Sequence, residues 1–267
     1  MTTQRINDST KALRGREIIL KTQTMGYETR IAAFIEIPGL NSSIDSGNLD
    51  TGESNRILQS VNELKDFFIK LGVDSEIGRE RELNPDTQII EVSNGLAVSR
   101  LIRAESEFYS MISDCIHAIH LLIDNGFLCR GAIKVGNLFS LDTPLIGDAY
   151  IKAWLAESND QLPIITFDGE LLESVRYFRY PTNEGSAEFG LTSEIKNYKE
   201  LMPGIYYLDY FTDYHDYVEG GGAAAHYLKL REIIVKGLQI PNANDKYRWA
   251  ADQFNKTASK YGLDKIE

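Results

Sequence analysis

The chain has 267 residues, 43% of them hydrophobic, and a formal net charge of −11. That length can bury a full core in one large domain or two small ones. So acidic a chain repels a nucleic-acid backbone or an anionic membrane, and its lysines and arginines are scattered rather than gathered along a groove.

In chain order, residues 1–16 are polar and basic and read as an arm without an apolar h-region, so no secretory signal is expected. Ile18 to Leu20 is a candidate short strand. Arg30 to Ile37 is a near-continuous apolar run stopped by Pro38-Gly39, the pattern of a strand buried on both faces. It carries one acid, Glu36. Asn41 to Asn55 is rich in Ser, Asp, Gly and Asn and reads as a flexible loop. Ile57, Val61, Leu64, Phe68 and Leu71 then recur at helical spacing, closed by Gly72. Asp74 to Asp86 is a charged connection. Gln88 to Val92 and Leu96 to Ser99 read as a hairpin turned by Ser93-Asn94-Gly95.

Phe108, Met111, Ile112, Cys115, Ile119, Leu122 and Ile123 make the apolar stripe of a long helix, with Asn125-Gly126 as its left-handed cap. Leu128 to Gly136 reads as a strand broken by glycines. Gly147-Asp148 precedes a helix through Glu157, with Asp148 as N-cap and Trp154 in the core. Leu162 to Phe167 is a further strand. The remainder is less regular: an aromatic stretch at Tyr206 to Phe211, Gly220-Gly-Gly leading into a helix over Ala223–Lys236, and a last helix over Asp245–Ser259. No run approaches the ~18 apolar residues of a membrane span. The two cysteines, Cys115 and Cys129, form neither a disulfide framework nor a metal spacing, so a reducing, cytoplasmic location is expected.

Strands alternate with helices, but a hairpin interrupts them. That order predicts a mixed, largely antiparallel sheet with helices packed on it. There is no Gly-x-Ser-x-Gly, no His-Glu-x-x-His and no Cys-x-x-Cys. His117 and His120, three apart on one helix, could pair on a metal; local bonding beside the apolar stripe is the better reading. Gly220-Gly-Gly lacks the Lys-Ser/Thr of a phosphate loop.

One arrangement remains. It comprises Glu36 to Leu40, Ser93-Asn94, Arg130-Gly-Ala-Ile-x-x-Gly136, Gly147 to Glu157 and, more weakly, Lys246-Tyr-Arg-Trp249. In this order the elements resemble the catalytic domain of class III nucleotidyl cyclases, and more closely a group of bacterial cyclase-like proteins. The resemblance covers about residues 28–180, with an echo at 240–256, and 130–157 is its most specific part. It implies an α/β (α+β) fold with a ferredoxin-like βαββαβ core and a helical C-terminal elaboration. The implied organisation is an arm and short strand over 1–27, the cyclase-like domain over 28–180, and an elaboration over 181–267 packed on the same domain. It also implies a homodimer with the nucleotide between subunits, and two carboxylates holding two Mg or Mn ions that activate the ribose 3′-hydroxyl.

The sequence departs from that pattern. Glu36 stands where the first metal ligand is an Asp, one methylene longer than a magnesium site favours. Asn94 takes the second carboxylate's place without its charge. The late-helix Asn and Arg fall at or near Ile151 and Leu155, both apolar. Glu36 is therefore the candidate metal ligand; Asp86, Glu91 and Asp148 could substitute as ligands, but nothing in their spacing argues for it. Asn94, Lys134, Asp148 and Lys152 are candidate nucleotide contacts. A buried-strand Glu paired with Lys or Arg, Asn94 as a left-handed turn residue and Asp148 as a cap are the plain structural alternatives.

The expectation is a degenerate cyclase-like protein that binds a nucleotide or a protein partner, in signalling or phage defence by analogy. Two others stand beside it. One is an active cyclase or nucleotidyltransferase whose metal site is rebuilt around Glu36. The other is an interaction module whose partner surface is Tyr206–Phe211 and the Gly-rich loop.

Overall fold

Ten residues with alternate side chains turned to opposite apolar surroundings form the central strand β1, Tyr27–Glu36. The computed structural model describes residues 27–38, 51–70, 87–92, 95–102, 106–139, 146–147, 162–169, 171, 198–211, 222–240 and 244–267. The N-terminal arm, the 74–86 connection, the Ser93-Asn94 turn and the 148–157 helix lie outside these, as do Ile18 to Leu20, Gly72 and Gly220-Gly221.

After β1 come α1 (Thr51–Lys70), β2 (Gln88–Val92), β3 (Gly95–Leu101), α2 (Ser106–Asp124) and β4 (Arg130–Phe139). These are followed by β5 (Ile146–Gly147), β6 (Ile165–Asp168), β7 (Tyr198–Met202), β8 (Ile205–Leu208), α3 (Gly222–Leu238) and α4 (Asn244–Thr257). A 3-10 turn over Ala258–Tyr261 extends α4.

One sheet has the order β2-β3-β1-β4-β6-β8-β7, with β5 added to β4. β1, α1 and β2 form a split unit with β3 inserted between the two strands, and β4 returns on the far side of β1. All three pairings of this βαββαβ core are antiparallel. β6 joins β4 in parallel, and β8 and β7 continue antiparallel. The expected mixed, mostly antiparallel α/β fold with a ferredoxin-like core is the observed one.

β1 is buried on both faces, as its composition requires. Ile31, Ala33 and Ile35 enter the main core with Ile57, Val61, Leu64 and Phe68 of α1 and Met111, Cys115, Ile119 and Leu122 of α2. Phe34 turns the other way and packs with Ala97, Ile90 and Val92. Each fully buried aliphatic side chain here contributes about 1.5–3 kcal/mol by leaving water. α2 ends in a Schellman cap: Gly126 has φ 89°, Phe127 N–H donates to Leu122 O at 2.8 Å and Gly126 N–H to Ile123 O at 2.9 Å.

The structure corrects four expectations. Thr51 to Asn55, read as loop, form the first turns of α1. β4 is not broken by its glycines: it pairs with β1 without interruption from Tyr27↔Phe139 to Glu36↔Arg130. Gly131 is there for close approach, because a Cβ would lie 2.0 Å from Phe34 O. The C-terminal elaboration is not only helical, since β7 and β8 extend the sheet before α3 and α4. The aromatic stretch is core and not a partner surface: Tyr207, Tyr210 and Phe211 are at most 4% exposed. Tyr210 Oη donates to Pro163 O at 2.6 Å, and Trp249 meets Tyr207 and Phe211 edge-on at 5.7 Å.

Candidate functional site

The site grows from the end of β1. Glu36 is the last residue of that strand and pairs in register with Gly95 of β3 on one side and Arg130 of β4 on the other. Both strands press close. A Cβ at Gly95 would meet Ile35 O at 2.2 Å, as one at Gly131 would meet Phe34 O. The backbone around Glu36 is therefore fixed from both sides. By strand alternation Glu36 shares a face with Phe34, and Arg130 with Ala132.

The Glu36 side chain is 9% exposed and that of Arg130 25%. Arg130 Nη2 donates to Glu36 Oε2 at 3.0 Å, and Nε donates to the same oxygen at 3.2 Å. A buried carboxylate needs such a partner, since an unpaired ion there costs several kcal/mol. The pairing of Glu36 with a base, weighed from sequence as the plain alternative, is present. A third charge comes from far along the chain. Lys246, in the first turn of α4, is close enough to feel both groups. Burial first, then the Arg130 charge, lower its pKa, and Glu36 opposes them.

Of the other expected contacts, only Lys134 is among the described residues. Lys134 lies four residues along β4 from Arg130, about 13 Å on. Its ammonium donates to Asp168 Oδ1 of β6 at 2.6 Å. Asn94 directly precedes Gly95, but Asn94, Asp148 and Lys152 are outside the described residues. Glu91, a possible substitute ligand, is ion-paired with Lys65.

The divalent ions implied by the sequence resemblance were expected at Glu36. Among the described residues no three His, Cys, Asp or Glu are grouped to hold a metal ion. Glu36 is ion-paired with the Arg130 guanidinium, whereas magnesium requires a near-octahedral set of oxygens. These residues do not by themselves fit a divalent ion.

Away from this rim, three further polar groups are buried. Arg30, fully buried, donates Nη1 to Glu28 at 2.8 Å and Nε to Ser99 Oγ at 3.1 Å. Arg100 pairs with Asp114 at 2.5 Å, tying β3 to α2. His117 Nδ1 donates to Ser113 O at 2.8 Å, the local bond expected of it. His120 instead meets His226 of α3, Nδ1 to Nε2 at 3.2 Å. Burial chiefly lowers the pKa of His120 to about 2 and that of His226 to about 4, so both are neutral at pH 7. Burial also raises the thiol pKa of Cys115, and pushes that of Cys129 up to about 12, so neither is a thiolate nucleophile.

Sequence reading missed Lys246 as a neighbour of Glu36. The only available signal was the Lys-Tyr-Arg-Trp echo, which carried no position in space. The partnership of Glu36 and Arg130 follows once β1 and β4 are paired antiparallel. Among the described residues no helix is long and apolar enough to cross a membrane.

No protein-family description and no curated protein matches this sequence. Several solved structures are similar at low identity. A bacterial light-regulated adenylyl cyclase has 15% identity over 80% of this chain and a TM-score of 0.43. The chain spans 64% of that protein's length. The catalytic core of a rhodopsin-guanylyl cyclase with converted specificity, solved with an ATP analogue, has 10% identity over 68% of this chain and 96% of its own, at TM-score 0.42. The guanylyl cyclase domain of a rhodopsin fusion protein from the aquatic fungus Blastocladiella emersonii, a double mutant, has 12% identity over 68% of this chain and 93% of its own, at TM-score 0.39.

Proposed function

We propose that this chain is a degenerate nucleotidyl cyclase-like protein that binds a nucleotide and has little or no cyclase activity. The observation that carries the reading is the state of Glu36. At the position where the sequence resemblance puts the first metal ligand, the carboxylate is held by both Nε and Nη2 of Arg130. Asn94 stands where the second carboxylate would be, without a charge to hold a second ion. The motif order and the βαββαβ core support the cyclase-like part of the reading, and the exchanged residues support the loss of chemistry.

The chain acts as a homodimer in this reading, because the resemblance implies a nucleotide held between subunits. Residues 28–180 carry the site and 181–267 complete the same unit. A place in signalling or phage defence is supported by analogy with cyclase-like proteins.

The test is direct. Purified protein is incubated with each ribonucleoside triphosphate and manganese, and cyclic products are sought by mass spectrometry. None above background is expected. Robust turnover that Glu36→Ala abolishes would sink the proposal and favour a rebuilt metal site. A thermal-shift series with the same nucleotides reads binding: at a hundredfold over Kd, the folded state gains about 2.7 kcal/mol.

A further inference from the structure

The last turn of α4 and the neighbouring face of α3 hold a piece of the chain's own backbone. Gly262, at φ 66°, leads the chain out of the 3-10 turn, and Leu263 N–H closes that turn on Ala258 O at 3.0 Å. Leu263 to Glu267 then belongs to no helix or strand. Asn255 of α4 grips Ile266 by its backbone: Nδ2 donates to Ile266 O at 2.8 Å, and Oδ1 accepts from Ile266 N–H at 2.7 Å. Both groups of that residue thus face one side, as they do in an extended strand. Arg231 of α3 donates from Nε to Asp264 O at 3.2 Å. Two side chains anchor the segment: Ile266, 8% exposed in the main core, and Leu263, packed against it. Asp264, Lys265 and Glu267 are exposed. An open groove of about 710 Å³ lies between this segment and Val235 and Leu238 of α3.

These contacts are of the kind by which a groove binds a peptide. An amide side chain that pairs with one residue's N–H and C=O fixes register whatever the sequence, and an apolar socket then selects the residue that sits there. Three side-chain bonds to backbone and two aliphatic anchors hold the segment. The entropy of ordering its backbone opposes them and is of the same order. Such a strap opens locally without unfolding the domain. The open space along Val235 and Leu238 offers a longer peptide contacts that the strap lacks. Only Gly262 joins the strap to the 3-10 turn packed on α3 and α4, so a second copy cannot lend its strap without placing its own α4 on the groove. A separate peptide has no such constraint.

We propose that this groove is a docking site for an extended peptide segment of another protein with Leu-x-x-Ile spacing, and that Leu263 to Glu267 occupies it in cis as a competing strap. Asn255 sets the register of the incoming peptide, and the Ile266 socket takes its anchor. The inference is independent of any nucleotide at Glu36.

The experiment titrates a fluorescein-labelled peptide, Gly262 to Glu267, with the full chain and follows anisotropy. The unaltered chain is expected to bind it weakly, because its own strap competes. Ile266→Asp, which keeps the strap out of the socket, is expected to bind about tenfold more tightly, the factor by which a groove open one-tenth of the time lowers apparent affinity. Adding Asn255→Leu to that variant should lose the binding, and a peptide carrying Ile266→Ser should not bind. Thermal midpoints check that each variant is folded. In the unaltered chain, hydrogen exchange at Ile266 N–H should be much faster than at Phe254 of α4, because the strap opens alone.

No binding to a folded Ile266→Asp chain overturns the groove. So does binding that Asn255→Leu, or Ile266→Ser in the peptide, leaves unchanged. Exchange at Ile266 as slow as at Phe254 overturns the strap, and it is read on the unaltered chain whether or not the variants fold. A dimer of the unaltered chain that Ile266→Asp dissociates in sedimentation would assign the groove to a second copy and overturn the separate partner.

Discussion

The Glu36–Arg130 pair makes an asymmetric prediction. Its two members are unequally buried, the acid side chain at 9% and the base at 25% exposure. Removing Arg130 takes two charged hydrogen bonds from a carboxylate at the end of a strand flanked by close-packed backbone. Breaking a buried pair in this way typically costs 3–5 kcal/mol. The partial exposure of Arg130 lets some water reach the vacated space, so about 3 kcal/mol is expected for Arg130→Met. Removing the charge of Glu36 instead leaves a guanidinium one quarter exposed, with an amide oxygen still able to accept its hydrogen bonds. Glu36→Gln should therefore cost only about 1 kcal/mol, the scale of a weakened charged hydrogen bond. The double variant removes both charges and should be less destabilised than the sum of the singles, by about 1–2 kcal/mol. Urea denaturation of the four proteins measures all of this in one cycle. Arg130→Met no costlier than Glu36→Gln, or strict additivity in the double variant, would refute the reasoning.

The buried histidines give a pH dependence. Both pKa values are depressed from 6.5, to about 2 for His120 and about 4 for His226, so the unfolded chain binds more protons below pH 6.5. Stability should fall as pH drops from about 6.5, with the His226 share spent near pH 4 and the His120 share still growing. At one pKa unit per 1.36 kcal/mol, His226 alone accounts for about 3 kcal/mol. His117, Asp124 and Lys229 face the pair and modulate it. His226→Gln should flatten the fall in urea midpoint between pH 7 and pH 4.5; an unchanged slope would place the acid sensitivity elsewhere. Gly131→Ala puts a methyl 2.0 Å from a backbone oxygen that no rotamer can move. It should cost about 3 kcal/mol, the upper end of overpacking, and a stability within 1 kcal/mol of wild type would show that β1 and β4 can separate freely.

The left half of the sheet was legible because its signals are local. β1 is an unbroken apolar run, β2 and β3 flank an Asn-Gly step, and α1 and α2 carry stripes at helical spacing. Each of these needs only its own residues to be recognised. The right half was less legible for the same reason. Tyr198 to Met202 is half polar, as an edge strand is, and shows little alternation. Tyr206 to Phe211 stood out as aromatic, but its burial depends on β6, α4 and Trp249, whose places no local pattern announces. The glycines of β4 misled in a more instructive way. In a single sequence a strand glycine marks either a break or a close approach. Only the 2.0 Å between its absent Cβ and the neighbouring strand decides for the second.

The site shows where such local reading ends. Glu36 was visible as an acid in an apolar strand, and the cost of burying it required some partner. Antiparallel pairing of β1 with β4 is all that is needed to name Arg130 as that partner, because their positions fall opposite one another. Lys246 is different in kind. It is separated from Glu36 by the rest of the chain and reaches the site only because α4 packs on α3 and on the aromatic end of the sheet. There burial and the Arg130 charge lower its pKa while the Glu36 charge raises it. The electrostatics at the end of β1 therefore depend on the C-terminal packing as well as on the strand pairing that names Arg130.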